Sequence, residues 1–91
     1  MTISRFDTPE VEITAVYFRS GEGQQRLESY PRRMVYDGRE YNFVEAGMHF
    51  LIQKGQQLIN LFDVSDGQNS FRLRNENDRW TLINMTNMQA N

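Results

Sequence analysis

The sequence predicts an all-β fold, a single-domain small antiparallel barrel or strongly bent sheet of six to seven short strands. Three observations support this fold class. Apolar and polar residues alternate in short runs, turn-forming residues separate the runs at intervals of about 8–12 residues, and no segment has a convincing helical period. The length of 91 residues fits one domain.

The first predicted strand is Val11 to Phe18, in which alternate residues, beginning at Val11, are apolar and share one side. Val16 and Phe18 are apolar on the other side, so we expect this end of the strand to be covered on both faces. A glycine-containing loop follows at residues 20–24. Pro31 either ends the next strand or lies at a sheet edge, because proline has no backbone N–H for a central ladder.

The clearest local signal is a hairpin around Asp37-Gly38, flanked by the β-rich runs 33–36 and 39–44. Asp-Gly supplies the positive φ angles that both central positions of a type I′ turn require. This turn sets the register. It predicts the opposed pairs Tyr36–Arg39, Val35–Glu40 and Met34–Tyr41.

Residues 48–64 are ambiguous, because their apolar residues follow neither period cleanly. A helix would place Gly55 in its interior, at a cost of about 1 kcal/mol relative to alanine. Two strands, 48–54 and 58–64, joined at residues 55–57 explain the glycine, and we favour them. A bend is expected just before, at residues 45–47.

The last third of the chain predicts two further turns and two strands. Asp66-Gly67 lies in a polar loop at residues 65–69, and a second turn is expected at residues 75–78. The strands are 71–74 and 80–85. We expect residues 10–86 to form the β domain, with flexible ends at 1–9 and 87–91.

Composition excludes several classes of function. The chain has no cysteine and one histidine, which rules out disulfides, thiolate metal sites and multi-histidine centres. No apolar run approaches the roughly 18 residues of a membrane span, and the first residues do not resemble a signal peptide, so we expect a cytoplasmic protein. His49 has no nucleophile motif to act with, so the sequence predicts a non-enzyme without cofactor or metal.

The arginines have two interpretations. Nine of the ten basic residues are arginine, and the 12 acidic residues are interleaved with them, which favours cross-strand ion pairs on a solvated face. The alternative is a single-stranded nucleic-acid interface, in which aromatic rings stack on bases and arginines line the groove. Its candidate residues are Arg33, Arg39, Arg72, Arg74, Tyr36, Tyr41 and Trp80.

The segments 30–41, 71–74 and 78–82 combine a basic hairpin, a glycine turn and a strand with Arg79-Trp80-Thr81-Leu82. In these features the chain resembles small bacterial β domains that have no assigned activity. The resemblance covers about a third of the chain. It supports the β assignment and implies no functional residue.

Open strand edges are the expected functional feature of so many strands in so short a chain, because an exposed edge pairs readily with another strand. The sequence therefore predicts a non-catalytic binding or assembly module that acts on a protein partner and self-associates, as a homodimer. Nucleic-acid binding is the alternative function.

Overall fold

A computed structural model describes residues 9–20 and 27–87, which form one antiparallel sheet of seven strands. The strands are β1 (Glu10–Ser20), β2 (Leu27–Tyr36), β3 (Arg39–Asn42), β4 (Glu45–Lys54), β5 (Gln57–Ser65), β6 (Asn69–Glu76) and β7 (Arg79–Asn87). Their order across the sheet is β3-β2-β1-β7-β6-β5-β4. The predicted all-β, antiparallel class is confirmed.

The prediction of short strands is wrong for six of the seven. All except the four-residue β3 contain 8 to 11 residues. The strands are long because some segments that were predicted as turns from their composition are paired with a neighbouring strand. Residues 45–47, expected as a bend, belong to β4, where the register with β5 shifts between Ala46 and His49. Pairing satisfies backbone groups that a longer loop would leave to water.

The predicted hairpin around Asp37-Gly38 is confirmed. Both residues have positive φ, 55° at Asp37 and 75° at Gly38, as a type I′ turn requires. β2 and β3 pair in the predicted register, with Tyr36 opposite Arg39 and Met34 opposite Tyr41.

Residues 48–64 form strands, as favoured. The connection is tighter than expected, because Lys54 pairs directly with Gln57 across a two-residue turn. Gly55 has φ of 62° and begins that turn. The next loop is held by Asp66, whose Oδ1 accepts hydrogen bonds from the backbone N–H groups of Gln68 and Asn69.

Pro31 lies inside β2 and does not end it. It pairs with Val16 of β1 at an irregular point in the register. On its other side β2 is a free edge within the described residues, because β3 pairs only with residues 33–36 of β2. The alternative that Pro31 ends the strand is therefore wrong, and the other alternative, a position at an edge, fits the side of β2 that β3 leaves unpaired at this residue.

The sheet bends so that its two halves pack against each other. Tyr30 on β2 contacts Phe62 on β5, with ring centroids 5.3 Å apart, and Phe43, just after β3, contacts Phe71 on β6 at 5.1 Å. The core between the halves contains Val11, Tyr30, Met34, Phe43, Phe62, Val64, Phe71, Leu73 and Leu82.

The sheet does not close into a barrel in the described part of the chain. Its two end strands, β3 and β4, are separated by only two residues, yet they do not pair. The backbone N–H of Phe43 donates to Arg32 on β2, and that of Val44 donates to Ser65 on β5. Phe43 and Val44, the two residues between β3 and β4, thus bond to different halves of the sheet. β3 ends before it can lie beside β4.

The alternation predicted for the first strand is confirmed, since the side chains at 11, 13, 15 and 17 are buried or half-buried and those between are exposed. The prediction that the end of this strand is covered on both faces is wrong, because Val16 and Phe18 are 46% and 64% exposed. The expected loop at 20–24 falls outside the described residues after position 20. Of the ends predicted to be flexible, only Pro9 and Asn87 are described; Pro9 accepts a hydrogen bond from Leu82, and Asn87 pairs with Asn69.

Candidate functional site

Arg72 forms the best-defined ion pair in the described residues. It lies directly opposite Asp63 in the β5–β6 ladder, and its Nε and Nη2 donate to the two carboxylate oxygens at 2.7 and 2.9 Å. The hydrogen bond, and secondly the charge, of Asp63 raise the pKa of the Arg72 guanidinium above its ordinary value. A paired guanidinium of this kind has lost the fork with which arginine binds a phosphate.

Other arginines are also paired with carboxylates. Arg74 contacts Glu76 at 2.6 Å, and Arg79 contacts Glu10 at 3.4 Å. Arg33 lies between two partners, Thr14 Oγ1 at 3.0 Å and a Glu40 carboxylate oxygen at 3.5 Å. These pairs match the interleaved pattern in the sequence. Of the four candidate arginines, Arg39 is exposed and has no ion pair among the described residues.

The candidate aromatic residues of the nucleic-acid hypothesis face the core of the protein. Tyr36, Tyr41 and Trp80 are half-buried and pack against the core. The Tyr41 ring contacts Phe71 at 5.4 Å between centroids, and the Trp80 ring contacts Phe62 at 5.4 Å. These contacts leave the rings little free face on which a base could stack.

Alternation of side chains along the strands places most of these arginines and aromatic residues on opposite faces of the sheet. Arg72 and Arg74 alternate with the buried Phe71 and Leu73, so they lie on the outer face, away from the core. Arg33 is likewise on the opposite face from Met34. Only Arg39, opposite Tyr36 at the end of the hairpin, shares the side of an aromatic candidate. The structure does not assemble the seven candidates into one surface.

His49 on β4 is held by side chains of β5 and β2. Its ring stacks on Phe62, with centroids 4.3 Å apart and an interplanar angle of 12°, and its Nε2 lies 2.7 Å from Asn60 Oδ1. The edge of Tyr30 approaches from β2 at 6.0 Å. This environment fits a structural histidine at the rim of the core.

The described residues contain a cleft of about 540 Å³ where β1 meets the start of β7. Carboxylates of Glu10, Glu12 and Asp78 line it beside Trp80, and Glu10 already pairs with Arg79. No group of three or more histidine, aspartate or glutamate side chains in the described ranges is arranged to hold a metal ion.

The most distinctive surface belongs to β4, which ends the sheet on one side. No strand in the described part of the chain lies beside its outer edge. Large apolar side chains of β4 are exposed here, Met48 at 59%, Leu51 at 60% and Ile52 at 42%. A long apolar edge strand of this type presents unpaired N–H and C=O groups to another chain.

The outer face of the β4–β5 hairpin is apolar as well. Phe50 lies opposite Leu61, and Ile52 lies opposite Ile59, so all four side chains share one face. Ile59 is only 7% exposed although it is not part of the main core. The Arg72 guanidinium lies over the Phe50 ring, 5.2 Å from its centroid, and borders this patch.

Charge is nearly absent from this region. Lys54, at the turn, is the only charged residue between positions 46 and 62. The ambiguous period of residues 48–64 was the sequence signal for this surface, because apolar residues fall on both faces of both strands. Sequence reasoning named an edge or apolar patch as a place for association but did not locate it here.

The part of the chain that the structure describes includes no helix long and apolar enough to cross a membrane. Comparisons with protein-family models, curated proteins and solved structures find no match to this chain. The resemblance to small bacterial β domains therefore stays a prediction.

Proposed function

We propose that this protein is a non-catalytic assembly module of the cytoplasm that self-associates through the free edge of β4. The observation that carries the proposal is the combination, on one strand, of an edge that no described strand covers with exposed Met48, Leu51 and Ile52. Natural proteins usually protect such edges with charges, proline or short strands. β4 has ten residues, and its charged residues, Glu45 and Lys54, lie only at its two ends.

The opposite edge of the sheet is protected in that way and supports the choice of β4. β3 has only four residues, and two of them, Arg39 and Glu40, are exposed charged residues. A short charged strand offers few backbone groups and penalises a neighbour of like charge. The two edges of one sheet thus differ in the features that decide whether a strand can be added.

Nucleic-acid binding has less support. Arg33, Arg72 and Arg74 are already bound to acidic or hydroxyl groups. A backbone of phosphates would have to displace the bidentate partner of Arg72, and the net charge of −2 does not favour its approach. We therefore do not adopt this function.

The proposal is tested by sedimentation equilibrium over a range from low to high micromolar protein. We expect the average mass to rise from the monomer value of 10.8 kDa towards twice that value with concentration. Leu51→Glu should abolish the rise, because it places a charge at the free edge. Leu58→Glu is the matched control: Leu58 is similarly exposed and apolar but lies on β5, away from the edge.

Three results would contradict the proposal. One is a wild-type chain that stays monomeric at high micromolar concentration. Another is equal loss of association in both glutamate variants, which would place the contact elsewhere. The third is undiminished association of Leu51→Glu. Near-ultraviolet circular dichroism of each variant confirms that the fold is retained.

A further inference from the structure

We infer that two copies of this chain pair through β4 in an antiparallel arrangement, with Leu51 directly opposite Leu51 of the second copy. This inference rests on the proposed function and specifies its geometry. The pairing would join the two seven-stranded sheets edge to edge across a twofold axis, with β4 of each copy at the centre.

The turn at the end of the hairpin determines which backbone groups face outward. Lys54 and Gln57 flank a two-residue turn, so they form a hydrogen-bonded pair. Hydrogen-bonded and non-hydrogen-bonded pairs alternate along an antiparallel ladder. The N–H and C=O groups of Phe50 and Ile52 therefore point towards β5, whereas those of Leu51 point away from it, to the outer edge of the sheet.

Side-chain pairing selects the centre of the contact. With Leu51 on the twofold axis, Phe50 of each copy lies opposite Ile52 of the other, and the apolar outer faces of the two hairpins merge. The two Leu51 side chains meet on the inner face. Aromatic and β-branched residues are favourable partners across strands. Met48 lies opposite Lys54 of the other copy, but this pair is at each end of the contact, where both side chains are exposed.

The neighbouring registers are less favourable. Centring on Ile52 would set Phe50 against Lys54 of the second copy. Centring on Phe50 would set Gln53 against Gly47, where β4 is irregular and the Gly47 carbonyl accepts a hydrogen bond from the Tyr30 hydroxyl at 3.5 Å. A second copy is thus best accommodated with Leu51 at the centre.

Charge also favours a second copy as the occupant. Lys54 is the only charged residue of the hairpin between positions 46 and 62, so the edge has no charge pattern by which to bind a strongly charged partner. In the Leu51-centred pair the two Lys54 positions are six residues apart along the strand, about 20 Å. This separation exceeds the Debye length of about 8 Å at physiological ionic strength, so their repulsion is screened.

The absence of cysteine from the chain allows a direct test with single-cysteine variants. Cysteines at position 51 of two paired copies would have Cα atoms about 5.5 Å apart, within the range of a disulfide. Cysteines at position 53, on the same strand and face, would lie four residues apart, about 14 Å. A cysteine at position 58, which is exposed on β5, measures how fast disulfides form when two copies collide at random.

Each variant is oxidised with copper phenanthroline and oxygen at a concentration at which sedimentation shows the dimer. We expect Leu51→Cys to form covalent dimer at least about tenfold faster than Gln53→Cys or Leu58→Cys, because only the first reaches disulfide geometry. A second measurement tests the same contact without a cysteine, so it does not depend on how well the cysteine variant associates. Leu51→Glu mixed with Leu51→Lys should form a heterodimer under conditions in which neither variant dimerises alone.

The outcomes separate the inference from the proposed function. A dimer in which Gln53→Cys crosslinks as fast as Leu51→Cys overturns the register. A dimer that none of the three cysteines traps, and a charge-swap mixture that stays monomeric, overturn β4 pairing while self-association stands. A chain that is monomeric at every concentration removes the proposed function and the inference together.

Discussion

The contact between Phe43 and Phe71 tests whether the two halves of the sheet pack against each other. Phe43 lies in the link after β3, and Phe71 lies on β6, at the far side of the bend. Both are 2% exposed, and their ring centroids are 5.1 Å apart at 60°. We propose a double-mutant cycle with Phe43→Leu and Phe71→Leu, which keep apolar bulk but remove the aromatic pair.

The expected magnitudes follow from this geometry. Each single substitution should lower the free energy of unfolding by about 1 to 1.5 kcal/mol, as conservative core changes do. The double variant should lose less than the sum of the two, by about 0.5–1.5 kcal/mol, because the ring pair is already lost in either single variant. A 91-residue domain has about 5–14 kcal/mol of stability, so the double variant stays folded.

The assay is urea unfolding followed by the fluorescence of Trp80, the single tryptophan, at a concentration at which the chain is monomeric. Phe18→Leu combined with Phe71→Leu is the control pair, because Phe18 is 64% exposed on the opposite face of β1. That pair should be additive within about 0.3–0.5 kcal/mol. Additivity of Phe43→Leu and Phe71→Leu to the same degree would refute the cross-sheet packing.

Three further predictions concern turns, charge and ligands. Asp78→Gly should raise Tm by about 2–8 °C, because Asp78 occupies a left-handed position with φ of 65° at the end of a type I′ turn; an unchanged or lower Tm contradicts this. Asp63→Asn should lower the free energy of unfolding equally at about pH 6 and about pH 9. Asp63 raises the pKa of the Arg72 guanidinium in the folded chain. The stabilisation from this charged guanidinium is therefore complete below the pKa of arginine in the unfolded chain, and it is lost only as the pH rises through the higher pKa of the folded chain. A loss that differs between the two pH values, in urea titrations, would contradict that assignment. Short single-stranded DNA and RNA should leave Trp80 fluorescence and the anisotropy of a labelled oligonucleotide unchanged at roughly 50 mM salt, and saturable binding that weakens at roughly 200 mM would restore the nucleic-acid interface.

Local structure was largely predictable, because it depends on a few adjacent residues. Asp37-Gly38 adopts positive φ by itself, and a two-residue turn fixes the pairs beside it, so the hairpin register followed from residues 33–44. Alternation along residues 11–17 likewise identified the face that turns to the core. Strand ends were less predictable, because composition cannot show whether residues 45–47 find a partner across the sheet.

The candidate site could not be located from the pattern alone. Leu51 and Leu73 are the same residue in similar apolar strands, yet one is 60% exposed and the other is fully buried. The difference lies in the order of the strands, since β6 is central and β4 ends the sheet. Strand order depends on contacts between residues far apart in the chain, which no window of sequence reports.

Residues close together in the chain are thus enough to predict the all-β class, the main turns and the pairing of neighbouring strands, because each of these follows from local backbone preference and a period of two. The folded sheet is needed to see that Arg72 meets Asp63 on the outer face while Tyr41 and Trp80 turn inward, and that β4 is an apolar strand at the end of the described sheet. Burial and edge position are properties of the whole sheet, because strand order and the bend that packs its halves together determine them for every strand.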